Sequence, residues 1–388
     1  MKTSRRLDLL PPYLFAEISR TVGRLRAEGR DVVSLGIGDP DLPTPEPVIE
    51  ALIRAARDPV NHRYPESEGL PELRAAIADW YRRRFGVSLD PNSEVVPLIG
   101  SKEGIAHIPL AVIDPGDVVL VPDPGYPVYT SGAVFAGGEV FYLPLKEERG
   151  FLPDLGAVPT EVARRAKLLW LNYPNNPTGA TADGAFFREA VEFARQFDIV
   201  VCHDAAYTEV AFDGYRPGSF LQAAGAREVG VEFHSLSKTY NMTGWRVGMA
   251  VGNPEVIRAL TQVKTNFDSG IPQAIQWAAV TALRGPDEWV KANNRVYRRR
   301  RDLAVEALRA AGFEVRPPKA GFYLWVRTPD GQPSVEFALR LLEATAVVVT
   351  PGVGFGSNGE GYFRISLTTP DDRLEEALRR LVAWKKNG

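Results

Sequence analysis

The strongest constraint on the fold is a rhythm. From about residue 46 to about residue 280, short apolar runs bounded by turn residues alternate with segments of helical period. The runs Val118-Val121, Glu139-Leu143, Leu168-Leu171, Ile199-Cys202, Val231-His234 and Val247-Val251 have the length of strands. Glu46 to Arg57 reads as a helix, with Thr44 as N-cap and Pro45 in its first position, and so does Pro71 to Phe85, with Leu73, Ile77, Trp80 and Tyr81 on one face. Short strands interleaved with helices predict an α/β domain on a largely parallel sheet. A break at Leu283-Arg284-Gly285-Pro286 precedes a long charged helix, Asp287 to Ala311. Strands are then expected at Phe313-Arg316, Tyr323-Val326, Val347-Thr350 and Tyr362-Ser366, with helices at Ser334 to Ala344 and Asp371 to Lys385. The expected division is an N-terminal arm that joins the small domain (1–45), a large domain (46–284) and a smaller α+β domain (285–388).

Composition narrows the partners. The 388 residues carry 46 basic and 48 acidic side chains, a net charge of −2, so neither a nucleic acid nor an anionic membrane surface is expected. The basic cluster Arg298 to Arg301 reads as a solvated helix face. The single cysteine, Cys202, excludes an intrachain disulfide and fits a reducing compartment. The apolar stretches fall well short of the ~20 residues of a membrane span. Ser4-Arg5-Arg6-Leu7 faintly resembles a twin-arginine signal, but Asp8, Pro11, Pro12 and Glu17 interrupt the apolar region that such a signal needs. A cytoplasmic enzyme is the expectation.

The stretch His234-Ser235-Leu236-Ser237-Lys238-Thr239-Tyr240-Asn241-Met242-Thr243-Gly244-Trp245-Arg246 carries the most chemistry. It follows a predicted strand, so Lys238 falls at a strand end, where ligands gather in α/β sheets. Ser235, Ser237 and Arg246 supply donors for a dianionic phosphate. An amine condenses with an aldehyde only when deprotonated, and a nearby cation with partial desolvation lowers a lysine pKa in that way. S-x-S-K is short, and taken alone it is equally an ordinary loop lysine.

Other segments resolve that choice. Tyr173-Pro174-Asn175-Asn176-Pro177-Thr178-Gly179 follows a strand, Cys202-His203-Asp204-Ala205-Ala206-Tyr207 ends one, and Phe363-Arg364-Ile365-Ser366 lies near the C-terminus. With the lysine segment they resemble, in order and over nearly the whole chain, the motifs of the class I and II aminotransferases, the fold type I pyridoxal-phosphate enzymes. The resemblance implies pyridoxal 5′-phosphate as cofactor, with Lys238 carrying its aldehyde as an imine and shuttling a proton between the substrate α-carbon and the cofactor. Asp204 pairs with the protonated pyridine nitrogen, and Asn176 and Tyr207 donate to the phenolate oxygen. Ser101 and Lys102, in Gly100-Ser101-Lys102-Glu103-Gly104 at a helix start, add main-chain donors to the phosphate beside Ser235, Ser237 and Arg246. Tyr126 stacks on the ring and lines the substrate site with Asn176. Gly38 borders the substrate's carboxylate side, Arg364 clamps the α-carboxylate, and Tyr64 reaches the phosphate of a neighbouring subunit. A homodimer with composite sites follows. No metal is expected, since the four histidines show no ligand spacing.

The lysine segment and Asn266-Phe267-Asp268-Ser269-Gly270-Ile271 look closest to LL-diaminopimelate aminotransferases, although Pro272 stands where an aromatic residue is expected. Transamination of a diamino-dicarboxylic acid with a 2-oxo acid, as in lysine biosynthesis, is the expected activity. An aspartate, alanine or aromatic aminotransferase and a β-lyase stay open as alternatives.

Overall fold

The computed structural model describes residues 3–10 and 16–387. Pro11 and Pro12, invoked against an export signal, lie outside these residues. Twelve strands form three sheets: β1 (Val33–Ser34), β2 (Val95–Ile99), β3 (Val118–Asp123), β4 (Glu139–Pro144), β5 (Ala166–Asn172), β6 (Val200–Asp204), β7 (Gly230–Ser235), β8 (Val247–Gly252), β9 (Tyr323–Arg327), β10 (Val347–Val348), β11 (Thr350–Pro351) and β12 (Tyr362–Ser366). The central sheet runs β2-β8-β7-β6-β5-β3-β4, and β8 alone lies antiparallel to its neighbours. Helices cover both faces. Val118, Val119, Leu120, Leu168, Leu169, Val231 and Phe233 are all buried, as a doubly covered sheet demands.

A second core joins β9, β11 and β12 to the helices Glu288–Ala310, Ser334–Thr345 and Asp371–Asn387. Ile18, Leu25, Val33 and Leu35 from the first 45 residues belong to this core, and β1 pairs with β10. Tyr207 and Phe212, from the loop after β6, also reach it, so the two cores meet beside the end of that strand. No described helix is long and apolar enough to cross a membrane.

Several expectations need correction. Phe313-Arg316 forms no strand, only an isolated bridge between Val315 and Val326. The run from Val347 to Thr350 is split between two partners: Val347 and Val348 pair with β1, while Thr350 turns to β12. Thr44 does not cap the helix Glu46–Ala56; its hydroxyl donates to the Asn241 carbonyl, 2.8 Å away. The basic cluster is not a solvated face throughout. Arg300 is buried and bidentate to Asp41 (2.7 and 2.8 Å), with Asp371 on its Nε, and Arg301 is buried against Asp213. Period reveals a helix but not which of its charges find partners elsewhere in the chain.

Candidate active site

The C-terminal ends of β2, β3, β5, β6 and β7 face the same way, and the loops that leave them wall a cavity of about 850 Å³. Such a rim is where open α/β sheets place their ligands.

At one end the backbone is left bare for an anion. The helix Ser101–Val112 begins directly after β2, so the first N–H groups, on Ser101 and Lys102, lack intrahelical acceptors. Gly100 precedes it at φ 72°, and a Cβ there would collide with the Arg246 guanidinium. A Cβ on Gly248 would meet the Ser101 N–H, so both glycines are required by close approach. Ser235 Oγ accepts the Ser237 N–H (3.2 Å) at the start of the turn Leu236–Thr239 that carries Lys238. Arg246 sits at φ 55°, a costly conformation for a side chain this size, and spends one nitrogen on the Thr243 carbonyl. These groups line one cavity and are together the kind of donors that a dianion requires. The Lys102 side chain is exposed, so its contribution is its backbone.

In the middle lies Asp204, at the end of β6 and only 5% exposed. Burial drives its carboxyl above the usual range, opposed by the Tyr129 hydroxyl, which donates to Oδ2 at 2.8 Å. A carboxylate so placed is costly unless a cation faces it, which fits a protonated ring nitrogen. Asn172 ties this centre together: its Nδ2 donates to the Asp204 carbonyl (2.8 Å) and its Oδ1 accepts the Asn176 N–H (2.9 Å). Tyr207 Oη lies 3.2 Å from Tyr323 Oη. The Tyr126 phenol is pushed up to about 12, first by burial and then by the Asp204 charge.

Lys238 extends from its turn to donate to the Gly38 carbonyl at 3.0 Å. Burial brings its amine down to about 8; the Arg246 and Arg364 charges act in the same direction and Asp39 opposes them. Lys264 is still more buried but is spent on Glu103 (3.1 Å) and Asp268 (2.7 Å). Its ammonium sits between the two carboxylates that, with His107, make a metal-like grouping, so a cation already occupies that place.

Arg364 closes the other end. It lies between the rings of Tyr323 (4.1 Å) and Phe355 (4.6 Å), donates to Asn176 Oδ1 (2.7 Å) and the Gly36 carbonyl (2.6 Å), and leaves its buried Nε without a partner. With Oδ1 thus held, Asn176 Nδ2 has no acceptor among the described residues and is available to a ligand. An orphaned guanidinium N–H at a cavity wall fits a carboxylate.

Twelve of the thirteen residues singled out from the sequence line this cavity. Tyr64 does not; it is 87% exposed. It stands near the segment after the helix Pro254–Phe267, where Gly270 packs on Pro65 and the Glu66 carbonyl. Pro272 there opens the helix Gln273–Arg284. Sequence reasoning missed Tyr129, Asn172, Tyr323 and Phe355. Tyr129 had a signal, three positions after Tyr126 on one helical start, and Asn172 directly follows the predicted strand Leu168-Leu171. Tyr323 reaches the site only through the packing of the second core.

The family model for class I and II aminotransferases matches residues 30–381. An LL-diaminopimelate aminotransferase of Dehalococcoides mccartyi is 59% identical over 385 residues, covering 99% of each chain. That of Moorella thermoacetica is 58% identical over 381 residues, covering 98% of each. Among solved structures, substrate-bound BacF from Bacillus subtilis superposes with a TM-score of 0.94 at 40% identity, covering 99% of this chain and 98% of BacF. A single mutant of Thermus thermophilus aspartate aminotransferase does so at 0.92 and 34% identity, covering 99% of each. A family model that spans most of the chain, relatives 58–59% identical over nearly its full length and a superposable α/β fold agree, and the chain belongs to the class I and II aminotransferases.

Proposed function

We propose that this aminotransferase uses pyridoxal 5′-phosphate to move the amino group of LL-2,6-diaminopimelate to or from a 2-oxo acid, with 2-oxoglutarate as partner, as a cytoplasmic homodimer of lysine biosynthesis. The observation that carries the cofactor reading is that Lys238 Nζ, Asp204 and the cradle at 100–102 open onto one cavity. When bound, the cofactor supplies an aldehyde to carry the amino group and a pyridinium ring to take up the electrons released at the substrate α-carbon. The N–H groups of Ser101 and Lys102, the Ser235 and Ser237 hydroxyls and Arg246 hold the phosphate. Asp204 would keep a proton on the ring nitrogen, Asn176 and Tyr207 would donate to the phenolate oxygen, and Tyr126 would cover the ring. Neutral Lys238 takes the proton from the substrate α-carbon, and Arg364 orients that carbon by its carboxylate beside Gly38. Tyr64 and the 266–271 segment, which meet where Gly270 packs on Pro65, are read as completing a second subunit's site. The division into an arm (1–45), a large domain (46–284) and a small domain (285–388) is part of this reading, the arm belonging with the small domain through β1.

Two arguments favour the diamino acid over aspartate. The curated relatives at 58–59% identity carry that name, whereas the aspartate enzyme is 34% identical. A distal carboxylate alone calls for a second arginine, and Asn266-Phe267-Asp268-Ser269-Gly270 contains none.

A panel of amino donors, read by the spectral change of the half-reaction, tests the choice. LL-diaminopimelate is expected to exceed aspartate, alanine and aromatic amino acids in kcat/KM by about 100-fold or more, since a site whose polar groups are left unpaired can reject a substrate by about 10,000-fold or more. Preference for aspartate or an aromatic donor would overturn the substrate. Release of ammonia and an oxo acid without conversion of the cofactor to its amine form would make the chain a lyase instead.

A further inference from the structure

The carboxylate clamp depends on a residue that touches no substrate. Arg364 is held on two edges, by Asn176 and Gly36, and on two faces, by Tyr323 and Phe355. Three of these supports are fixed by other structure. Tyr323 lies on β9, in register with Ser366 of the strand that bears Arg364. Asn176 is tied to Asn172, and the Gly36 carbonyl accepts the Thr350 hydroxyl as well (2.8 Å). Phe355 is different, for it ends one short turn, Gly352–Phe355, two residues before another, Ser357–Gly359, begins, with no ladder to hold it.

The Phe355 ring meets Trp325 of β9 edge-on (6.0 Å) and the Val353 N–H donates to Ser334 Oγ (3.3 Å), but what fastens the segment after Phe355 is Asp123, the last residue of β3. Its Oδ2 accepts the Ser357 hydroxyl and Asn358 Nδ2, each at 2.8 Å, and its Oδ1 accepts the Asn358 N–H at 3.1 Å. The Gly125 N–H, two residues on, donates to the Phe355 carbonyl at 2.8 Å. Between these ties Gly356 adopts φ 130°, and a Cβ on it would collide with the Asp123 carboxylate, so the loop closes down on the aspartate as far as backbone allows. Asp123 is 2% exposed and pairs with no lysine, arginine or histidine among the described residues. A buried carboxylate answered only by neutral donors is an expensive fastening. An asparagine could not accept all three bonds, because half of its amide is a donor.

We propose that Asp123 is a positioning residue for the substrate carboxylate: it fastens the loop from Phe355 to Asn358 so that the Phe355 ring covers one face of Arg364. This rests on reading Arg364 as the clamp. Covering both faces removes water from the guanidinium and fixes the plane in which its free Nε meets an anion. Asp123 thereby sets the affinity for every amino acid and every 2-oxo acid alike, since all share that carboxylate. Asp123 does not itself line the cavity and bonds to none of Lys238, Asp204 or Asn176 among the described residues, so it takes no direct part in ring chemistry.

The test is a double-mutant cycle on the holoenzyme with Asp123→Asn, Phe355→Leu and the pair. Each single variant is expected to raise KM for amino donors and 2-oxo acids about ten-fold, while kcat at saturation changes by no more than about two-fold. Glutarate, an unreactive dicarboxylate, should bind weaker by a similar factor in calorimetry. The double variant should be no worse than the poorer single one, because both remove the same contact. Additive losses, or a lowered melting temperature with KM and glutarate affinity unchanged, would reduce Asp123 to a structural fastener and overturn the proposal. If Asp123→Asn does not fold, Ser357→Ala and Asn358→Ala each remove donors to the same carboxylate and should raise KM about two- to three-fold; unchanged KM in both overturns it too. Arg364→Lys separates the underlying reading. It keeps the charge but loses the fork, and if KM for all substrates then stays as it was, the clamp itself is misassigned.

Discussion

Lys238→Ala should lower transamination by at least about 1,000-fold, the scale of a lost general base together with a lost covalent anchor. The cradle at 100–102, Arg246 and Asp204 are untouched by the change, so the variant should still take up pyridoxal phosphate. Borohydride treatment of the intact protein with the cofactor should fix the label to Lys238. Label on Lys264 is the informative failure, because that lysine is also buried yet is held by Glu103 and Asp268. The pH dependence follows from the sign of the shift. Burial brings the Lys238 amine down to about 8, so roughly a tenth of it is neutral at pH 7, against a few parts in ten thousand for an ordinary lysine. Capture of the cofactor by the cofactor-free protein should therefore rise about ten-fold per pH unit and level off above pH 8. A midpoint near that of a free lysine would mean that the amine is not desolvated and that the cavity does not close around it.

The parts of this site that could be read from the chain are those where chemistry and local structure coincide. Lys238, Asp204 and Ser101 each directly follow a strand or open a helix, so the apolar run that announces the element also announces the position of the functional group. Arg364 stands inside a recognisable strand, and its place followed from the resemblance. Tyr323, Phe355 and Asp123 show what was hidden. Tyr323 and Asp123 act across large separations in sequence, Tyr323 on Tyr207 and Asp123 on the loop that carries Phe355, while Phe355 meets Arg364 only through the fold of that loop, and no local period encodes such pairings. The same limit explains the basic cluster. Arg299 and Arg300 are neighbours on one helix, but Arg300 faces Asp41 and Asp371 and is buried, whereas Arg299 stays at the surface. The break of the run at Val349 is likewise tertiary: β10 and β11 are adjacent in sequence yet serve two sheets.

Asp204→Asn should leave the fold and the cavity nearly unchanged in shape and yet slow removal of the substrate α-proton by about two to three orders of magnitude. The estimate comes from a buried charge pair deprived of one member, which costs about 3–5 kcal/mol, or roughly a hundred-fold and upward in rate. An amide cannot hold a proton on the ring nitrogen as a carboxylate does, so the stabilisation is lost where electrons accumulate, after the substrate is already bound. Cofactor affinity should fall much less, because the phosphate contacts are separate. A substrate deuterated at the α-carbon should show a larger isotope effect in the variant, since that proton's removal becomes the slow step. Tyr129→Phe probes the same carboxyl more gently. The Tyr129 hydroxyl is the one side-chain donor to Asp204 among the described residues and lowers its pKa against the burial that raises it. Removing it should raise that pKa further and shift the acid limb of the kcat/KM profile to higher pH, since the ionised form is the one required. Activity at high pH should recover toward the parent value. If Asp204→Asn turns over normally, or if Tyr129→Phe moves the alkaline limb instead of the acid one, the buried carboxylate is not the partner of the ring nitrogen.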